Sequence, residues 1–333
     1  MNWKGTNVLV TGATGFLGSW LTERLAGEGA NVSVLVENEC TRKVCIKHLL
    51  GKLDVVTGDV RDPETVRKMM GDKDVIFHLA AVTQVIYAIR NPVETFDVNL
   101  KGTLNILECL RKNDHPFLVY MSTDKVYGEP SRLPIEADDP LSAKSPYDAS
   151  KLAADRACYS YHKTYGTKLS IVRSSNIYGG REANELRAVP DFVRSLIRSQ
   201  PPVIRGSGRH ERDFVYVGDV VNGLVSVAEN SGKTNGEAFV FGTGRPVSVY
   251  DLAKIAIKAS GLKLEPEVLG KPTPGEIDRQ YISYKKAREF FGWQPKVRLE
   301  DGLALTLKWY RQNPWIEDVI KATSERYKIQ SLA

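Results

Sequence analysis

Six short apolar runs set the rhythm of the first half of the chain: residues 7–10, 31–36, 53–57, 75–79, 117–121 and 168–173. Their near-continuous Val, Ile and Leu content suits strands of a parallel sheet buried on both faces. Between them, residues 16–26, 64–70, 92–112 and 146–165 repeat apolar positions every three or four, the period of a helix with one buried face. Asp62 followed by Pro63 reads as an N-cap and first-turn proline, and Gly27 and Gly166 read as helix stops. This alternation predicts an α/β fold, a doubly wound parallel sheet that binds ligands at the carboxyl edge of its strands.

Beyond residue 176 the alternation weakens. Residues 189–199 and 248–260 read as helices, the second capped by Ser248 and stopped by Gly261. Short strands are expected at 214–217 and 237–241, and loops at 201–202, 206–208 and 271–275. The expected organisation is a main domain over 1–175, rejoined by 214–245, and a smaller mixed α/β lobe formed by 176–213 and 246–333.

Composition narrows the setting. The chain has 333 residues, of which 42% are hydrophobic and 26% charged, an ordinary soluble balance with enough length for a large core. No apolar run approaches the roughly 20 residues that span a bilayer, and residues 1–30 lack a signal-peptide layout, so a cytoplasmic protein without membrane attachment is expected. Cys40 and Cys45 stand five apart with no His or Cys cluster to complete a metal set, and no metal is expected. The net charge of +6 comes without a basic run or aromatic–basic interleaving, which argues against nucleic acid and for a few arginines serving anionic small molecules.

The first apolar run leads into Thr11-Gly12-Ala13-Thr14-Gly15-Phe16-Leu17-Gly18. Glycines at 12, 15 and 18 permit a tight strand-to-helix turn, close approach of backbone to a pyrophosphate, and close packing of the following helix. The helix start then offers free N–H groups to an anion. Glu37 closes the second strand about 20 residues on, where a carboxylate accepts from both adenosine ribose hydroxyls and repels a 2′-phosphate. NAD+ is therefore the expected cofactor, with NADP the lesser alternative that nearby Arg42 and Lys43 keep open. Asp59 and Val60, after the third strand, are placed to meet the adenine edge.

Downstream, Met121-Ser122-Thr123-Asp124-Lys125 ends the fifth strand and Tyr147-Asp148-Ala149-Ser150-Lys151 opens a helix after Pro146. Four residues apart, Tyr147 and Lys151 share one helix face. A free tyrosine holds its proton to about pH 10. A neighbouring ammonium and a cationic nicotinamide ring favour the phenolate, making Tyr147 a base. Lys151 can also hold the nicotinamide ribose, Thr123 can hydrogen-bond a hydroxyl being oxidised, and Asp124 and Lys125 form an acid–base pair beside it.

These motifs, with Gly58-Asp59-Val60, His78-Leu79-Ala80-Ala81, Asn99 in Val-Asn-Leu-Lys-Gly-Thr, Asn176-Ile177-Tyr178-Gly179, Arg212-Asp213-Phe214-Val215-Tyr216-Val217 and the Pro274-Gly275 segment with Arg279, resemble the extended short-chain dehydrogenase/reductases of the nucleotide-sugar epimerase/dehydratase type along nearly the whole chain. The resemblance implies a Rossmann-type sheet with a smaller substrate-binding lobe, and tightly bound NAD+ lined by Gly12, Thr14, Gly15, Phe16, Leu17, Gly18, Glu37, Asp59, Val60, Leu79, Ala80, Ala81, Asn99, Ser122, Tyr147 and Lys151. It implies a nucleoside-diphosphate sugar oxidised at C4, with Asn176, Arg212 and Arg279 on the diphosphate and Arg187 and Arg205 as weaker candidates. It also implies a homodimer through helices 92–112 and 146–165. Thr123-Asp124-Lys125 resembles the set of 4,6-dehydratases, CDP-glucose 4,6-dehydratases above all: Asp124 as the acid for the C6 hydroxyl and Lys125 as the base for the C5 proton. The Arg212–Val217 stretch is closer to the epimerases, which return hydride to the other face of C4, and a charged pair after Thr123 also occurs in sugar epimerases acting at other carbons, so an NAD-dependent epimerase of the UDP-sugar 4-epimerase or CDP-sugar epimerase type is the alternative.

Overall fold

The computed structural model describes residues 2–37, 41–113, 115–271 and 277–327. Cys40 and most of the predicted 271–275 loop, including Pro274-Gly275, lie outside these residues. Among the described residues, seven parallel strands form one sheet. Across it they run Ala238–Phe241, Leu169–Ser174, Phe117–Met121, Val75–His78, Asn7–Thr11, Asn31–Val36 and Asp54–Thr57. Val10 is bracketed by Val34 on one side and Phe77 on the other, all three fully or almost fully buried. The chain order reverses between Asn7–Thr11 and its neighbour Val75–His78, and this switch point opens a crevice at the carboxyl ends.

Helices cover both faces of this Rossmann-type sheet. On one, Leu21 and Leu25 of Phe16–Gly27 pack with Val220 and Leu224 of Val217–Glu229. On the other, Ile106, Leu107 and Leu110 of Gly102–Lys112 pack with Ala154 and Cys158 of Pro146–Tyr165. Each fully buried Leu or Ile here contributes about 1.5–3 kcal/mol.

The helix signals read from the sequence meet their structural counterparts, with two corrections. Asp62 caps Pro63–Met70 by accepting from the Glu64 and Thr65 amides, and Ser145 caps Pro146–Tyr165, which Gly166 stops at φ +71°. Gly27 does not stop the first helix: it is the last helical residue, and Gly29, at φ +84°, makes the left-handed turn. The expected continuous helix over 92–112 is broken into Pro92–Phe96, a π-helical turn Asp97–Lys101, and Gly102–Lys112. Such turns occur mostly at functional sites, and this one carries Asn99.

In the second half, Ala238–Phe241 joins the main sheet, whereas Phe214–Tyr216 pairs with Asn176–Tyr178 in a separate two-stranded sheet. Glu211–Arg212 lies between Val247–Ser248 and Arg279–Gln280. A second core gathers Phe192, Val193, Leu252, Ala256, Leu303 and Ile320 from Ala188–Ile197, Val249–Ser260, Leu299–Gln312 and Ile316–Arg326. Among the described residues no helix is long and apolar enough to cross a membrane, and no cluster of His, Cys, Asp or Glu could hold a metal.

Candidate active site

A cavity of about 730 Å³ runs along the carboxyl edge of the sheet, from the first glycine turn past Ser122, Thr123 and Tyr147 to Arg187 and Arg205. Its floor at one end depends on absent side chains. Gly12 sits at φ +73°, and a Cβ there would lie 2.7 Å from the Ala80 nitrogen; one on Gly18 would lie 2.1 Å from the Gly12 carbonyl oxygen. Backbone from two strand ends and a helix start therefore closes into one cradle, with Thr14, Gly15, Phe16 and Leu17 along its wall. Leu79, Ala80, Ala81, Asp59 and Val60 line the adjoining side. The Ser122 and Ser175 hydroxyls are buried, line the cavity and have no protein hydrogen-bond partner. Unpaired buried donors facing an anion-accepting cradle fit a dinucleotide.

Glu37 lines this end as expected, but its carboxylate is already engaged: Arg326, from the helix Ile316–Arg326, approaches it to 2.6 Å. Asp59 is paired with Arg61 at 2.6 Å. Burial raises the Asp59 carboxyl, and the Arg61 hydrogen bonds outweigh that and hold it below the usual range. Asn99, expected on the cofactor, does not line the cavity. Its amide oxygen accepts from the Val82 N–H at 2.8 Å, and its amide nitrogen donates to the Val82 carbonyl (3.1 Å) and the Ser150 hydroxyl (2.9 Å). The amide is spent tying the wall loop to the Tyr147 helix, where the Ser150 hydroxyl in turn donates to the Tyr147 carbonyl.

His78, which carried no role in the sequence, bridges the Thr11 and Thr103 hydroxyls at 2.7 and 3.0 Å. Burial, helped by the Lys151 charge, pushes it down to about 3, so it is a neutral strut.

At the reaction centre, Lys151 is 4% exposed; its ammonium donates to the Met121 carbonyl at 2.7 Å and sits 4.4 Å from the centre of the Tyr120 ring. Burial pushes it down to about 8. Burial also pushes the Tyr147 phenol up to about 12, opposed by the Arg187 charge and a hydrogen bond with Thr123. This corrects the expectation that Lys151 holds the phenol down: the ammonium is turned to Met121, and desolvation dominates. Thr123 caps the turn Asp124–Tyr127, accepting from the Lys125 N–H at 3.3 Å, and its hydroxyl donates to Asp124 at 3.3 Å. Asp124 is 3% exposed, with the Lys125 ammonium 3.6 Å from its carboxylate. That ammonium also donates to the side-chain oxygen of Gln280.

On the lobe side, Asn176, Arg187 and Arg205 line the cavity. Asn176 donates to the Asp213 carbonyl, Arg187 pairs with Glu182 at 3.1 Å, and Arg205 pairs with Asp191 at 3.0 Å. Arg212 and Arg279, expected on the diphosphate, are not among the described walls. Arg212 donates to the Glu211 carbonyl, and Arg279 pairs with the Glu211 carboxylate on the neighbouring strand. Glu182, Asn184 and His210 line the cavity without having been anticipated; as single polar residues in irregular segments they carry no spacing signal. Gln280, a single polar residue on the two-residue strand Arg279–Gln280, was missed because it too carries no spacing signal.

The family model for GDP-mannose 4,6 dehydratase matches residues 9–306. The chain is 34% identical over 310 residues to a putative UDP-glucose 4-epimerase of Methanocaldococcus jannaschii, covering 92% of this chain and 99% of that relative. The crystal structure of the Thermotoga maritima UDP-glucose 4-epimerase with UDP-glucose superposes with a TM-score of 0.86 at 31% identity, covering 93% of this chain and 100% of the other. The dTDP-glucose 4,6-dehydratase of Bacillus anthracis in complex with NAD superposes at 0.85 with 26% identity, covering 95% and 100%. The chain belongs to the GDP-mannose 4,6 dehydratase family, the nucleotide-sugar epimerases and dehydratases among the extended short-chain dehydrogenase/reductases. It is an enzyme of that class.

Proposed function

We propose that this enzyme is an NAD+-dependent 4,6-dehydratase that converts a nucleoside-diphosphate hexose to its 4-keto-6-deoxy form. The observation that carries the reading is the Asp124–Lys125 pair set directly behind Thr123. NAD+, when bound, would accept the hydride from C4 and return it to C6 after water has left, while the Lys125 ammonium gives its proton back to C5. Thr123 orients the C4 hydroxyl, and Tyr147 takes its proton as the phenolate, the form that burial disfavours and that the Arg187 charge, the Thr123 hydrogen bond and the cationic ring of bound NAD+ favour. A 4-ketone acidifies the C5 hydrogen. The Lys125 amine removes that proton as the C5–C6 double bond forms, and Asp124 protonates the departing C6 hydroxyl, which leaves as water. Moving one proton from the Lys125 ammonium to the Asp124 carboxylate would prepare both groups; at 3.6 Å they form an ion pair, and the transfer needs a closer approach or one bridging water.

The glycine cradle, Glu37 and Asp59 support tight NAD+ binding; Asn176, Arg187 and Arg205 line the end where a diphosphate would bind. Arg212 and Arg279 are assigned to the same diphosphate: among the described contacts Arg212 donates to the Glu211 and Asp278 carbonyls and Arg279 pairs with the partly exposed Glu211 carboxylate, and guanidinium groups of this kind form bidentate hydrogen bonds to phosphate oxygens. In this reading residues 1–175 and 214–245 carry the cofactor, and 176–213 with 246–333 carry the sugar nucleotide. A homodimer through helices 92–112 and 146–165 agrees with the exposed Ile89, Val93 and Tyr159 on that side; a single 37 kDa species in light scattering would exclude it.

Epimerisation at C4 is the second reading, favoured by likeness to the putative UDP-glucose 4-epimerase of Methanocaldococcus and the UDP-glucose 4-epimerase of Thermotoga. It needs Thr123 and Tyr147 but gives Asp124 and Lys125 no work. The purified enzyme is incubated in D2O with CDP-, dTDP-, GDP- and UDP-sugars in turn. The expected product is lighter by one water and carries deuterium at C5. An epimer of unchanged mass without C5 deuterium overturns the dehydratase reading.

A further inference from the structure

We propose that Gln280 is a positioning residue that fixes the Lys125 amine at the sugar, an inference resting on the dehydratase reading above. Gln280 is 1% exposed, so its amide must find partners within the protein. Its nitrogen donates to the Asp124 carbonyl at 3.3 Å and the Gly128 carbonyl at 3.5 Å. Carbonyls only accept, so the amide has one orientation, with its oxygen turned to the Lys125 nitrogen, which donates to it. This contact is shorter than the 3.6 Å approach of Lys125 to Asp124.

A lysine is a point charge on a flexible four-carbon stem, and nothing in its own geometry aims it. Here the aim comes from another part of the fold. Gln280 ends the strand Arg279–Gln280 and stands in register with Arg212 of the neighbouring strand. One amide therefore grips both ends of the acid–base pair, the Asp124 backbone and the Lys125 side chain, from the lobe strand next to Arg212. The oxygen of an amide accepts from an ammonium or a neutral amine alike, so the grip holds Lys125 in place before and after it takes the C5 proton.

Gln280→Met keeps the side chain's length and removes both polar atoms. In D2O with the accepted sugar nucleotide, the full-length enzyme is followed by deuterium uptake at C5, by formation of the C4-oxidised sugar, by KM and by melting temperature. The expected result is a fall of about 10- to 100-fold in C5 exchange relative to C4 oxidation, the range set by misplacing a reacting group by about 1 Å, with KM within about threefold. Should the Met variant not fold, Gln280→Asn, shorter by one methylene, shows the same fall. An unchanged ratio overturns the inference, because a merely structural residue lowers both steps together. If the wild-type enzyme oxidises C4 but exchanges no hydrogen at C5, the dehydratase reading fails and takes this inference with it, a result visible before any Gln280 variant is made.

Discussion

At its dinucleotide end the cavity is walled largely by residues that follow one another in the chain: Gly12, Thr14, Gly15, Phe16 and Leu17 belong to one strand–turn–helix unit. At the sugar end, Thr123, Tyr147, Arg187 and Arg205 come from four separate segments, and Gln280 reaches Lys125 from a fifth. The first end is fixed by backbone sterics, the second by tertiary packing of side chains. Substitutions should separate them accordingly. Changes in the cradle should affect folding and cofactor content, and changes at the sugar end should affect single chemical steps or substrate affinity.

The largest effect belongs to Tyr147. Tyr147→Phe removes the hydroxyl proposed to take the C4 proton, and kcat should fall by a factor of about 100 to 10,000 with KM nearly unchanged. Steady-state kinetics showing more than half the wild-type kcat would remove Tyr147 from the chemistry. In the cradle, Gly18→Ala forces a Cβ to within 2.1 Å of the Gly12 carbonyl oxygen. Overpacking of this kind costs about 1–3 kcal/mol. The variant should purify with little nucleotide and a lower denaturation midpoint; wild-type nucleotide content would show that the turn yields.

Lys151 joins the two regions, because its burial is a stability cost as well as a catalytic setting. A lysine pushed from 10.5 down to about 8 binds its proton more weakly folded than unfolded. Stability is therefore lowered while the group is charged in both states, and rises with pH between about 8 and 10.5. Lys151→Met should lose activity yet gain stability in denaturant melts. Because wild type already recovers part of the cost by pH 9, the gain should be about 1 kcal/mol smaller at pH 9 than at pH 7. An equal gain at both values would mean that Lys151 is not desolvated as the structure has it.

The same contrast governs what could be read from the chain. The six strands of the first half, the Tyr147–Lys151 helix and the glycine turn follow from local period, caps and spacing, so they are visible in sequence. The π turn at Asp97–Lys101 was not, because one extra residue per turn leaves the apolar pattern of 92–112 intact. Asn99 was visible as a motif, while its role, bracing Val82 and Ser150, depends on a loop brought in by packing. Gln280 had no local signature, and His78 was visible only within His78-Leu79-Ala80-Ala81, with no role attached to it. Arg212 and Arg279 were found by resemblance, and only the fold shows them held against Glu211.

Those two arginines provide a sharper test of the sugar end. A charge-assisted hydrogen bond is worth about 1.5–3 kcal/mol, so Arg212→Ala should raise KM for the sugar nucleotide roughly 10- to 100-fold with kcat within a factor of about three. Arg205→Ala should do likewise. A rise below about threefold for Arg212 alone would leave the diphosphate to Arg187 and Arg205 and mean that the strand Glu211–Arg212 keeps its present contacts when substrate binds.

The smallest effect is expected where the two regions meet solvent, at Glu37. Its carboxylate is shared between an expected partner, the adenosine ribose, and the Arg326 guanidinium that now faces it at 2.6 Å, both side chains being about half exposed. An exposed pair of this kind is worth about 0–1 kcal/mol, so releasing Glu37 from Arg326 has a limited energy to give. Arg326→Ala should therefore change the NAD+ dissociation constant by no more than about fivefold, whereas Glu37→Ala should loosen NAD+ further and narrow its advantage over NADP, since the charge that repels a 2′-phosphate is gone. Titration of both dinucleotides into wild type and each variant, at low and at high salt, reads this directly. If Arg326→Ala weakened NADP alone by tenfold or more, the guanidinium would be acting as a 2′-phosphate ligand, and the assignment of NAD+ on the strength of Glu37 would fall.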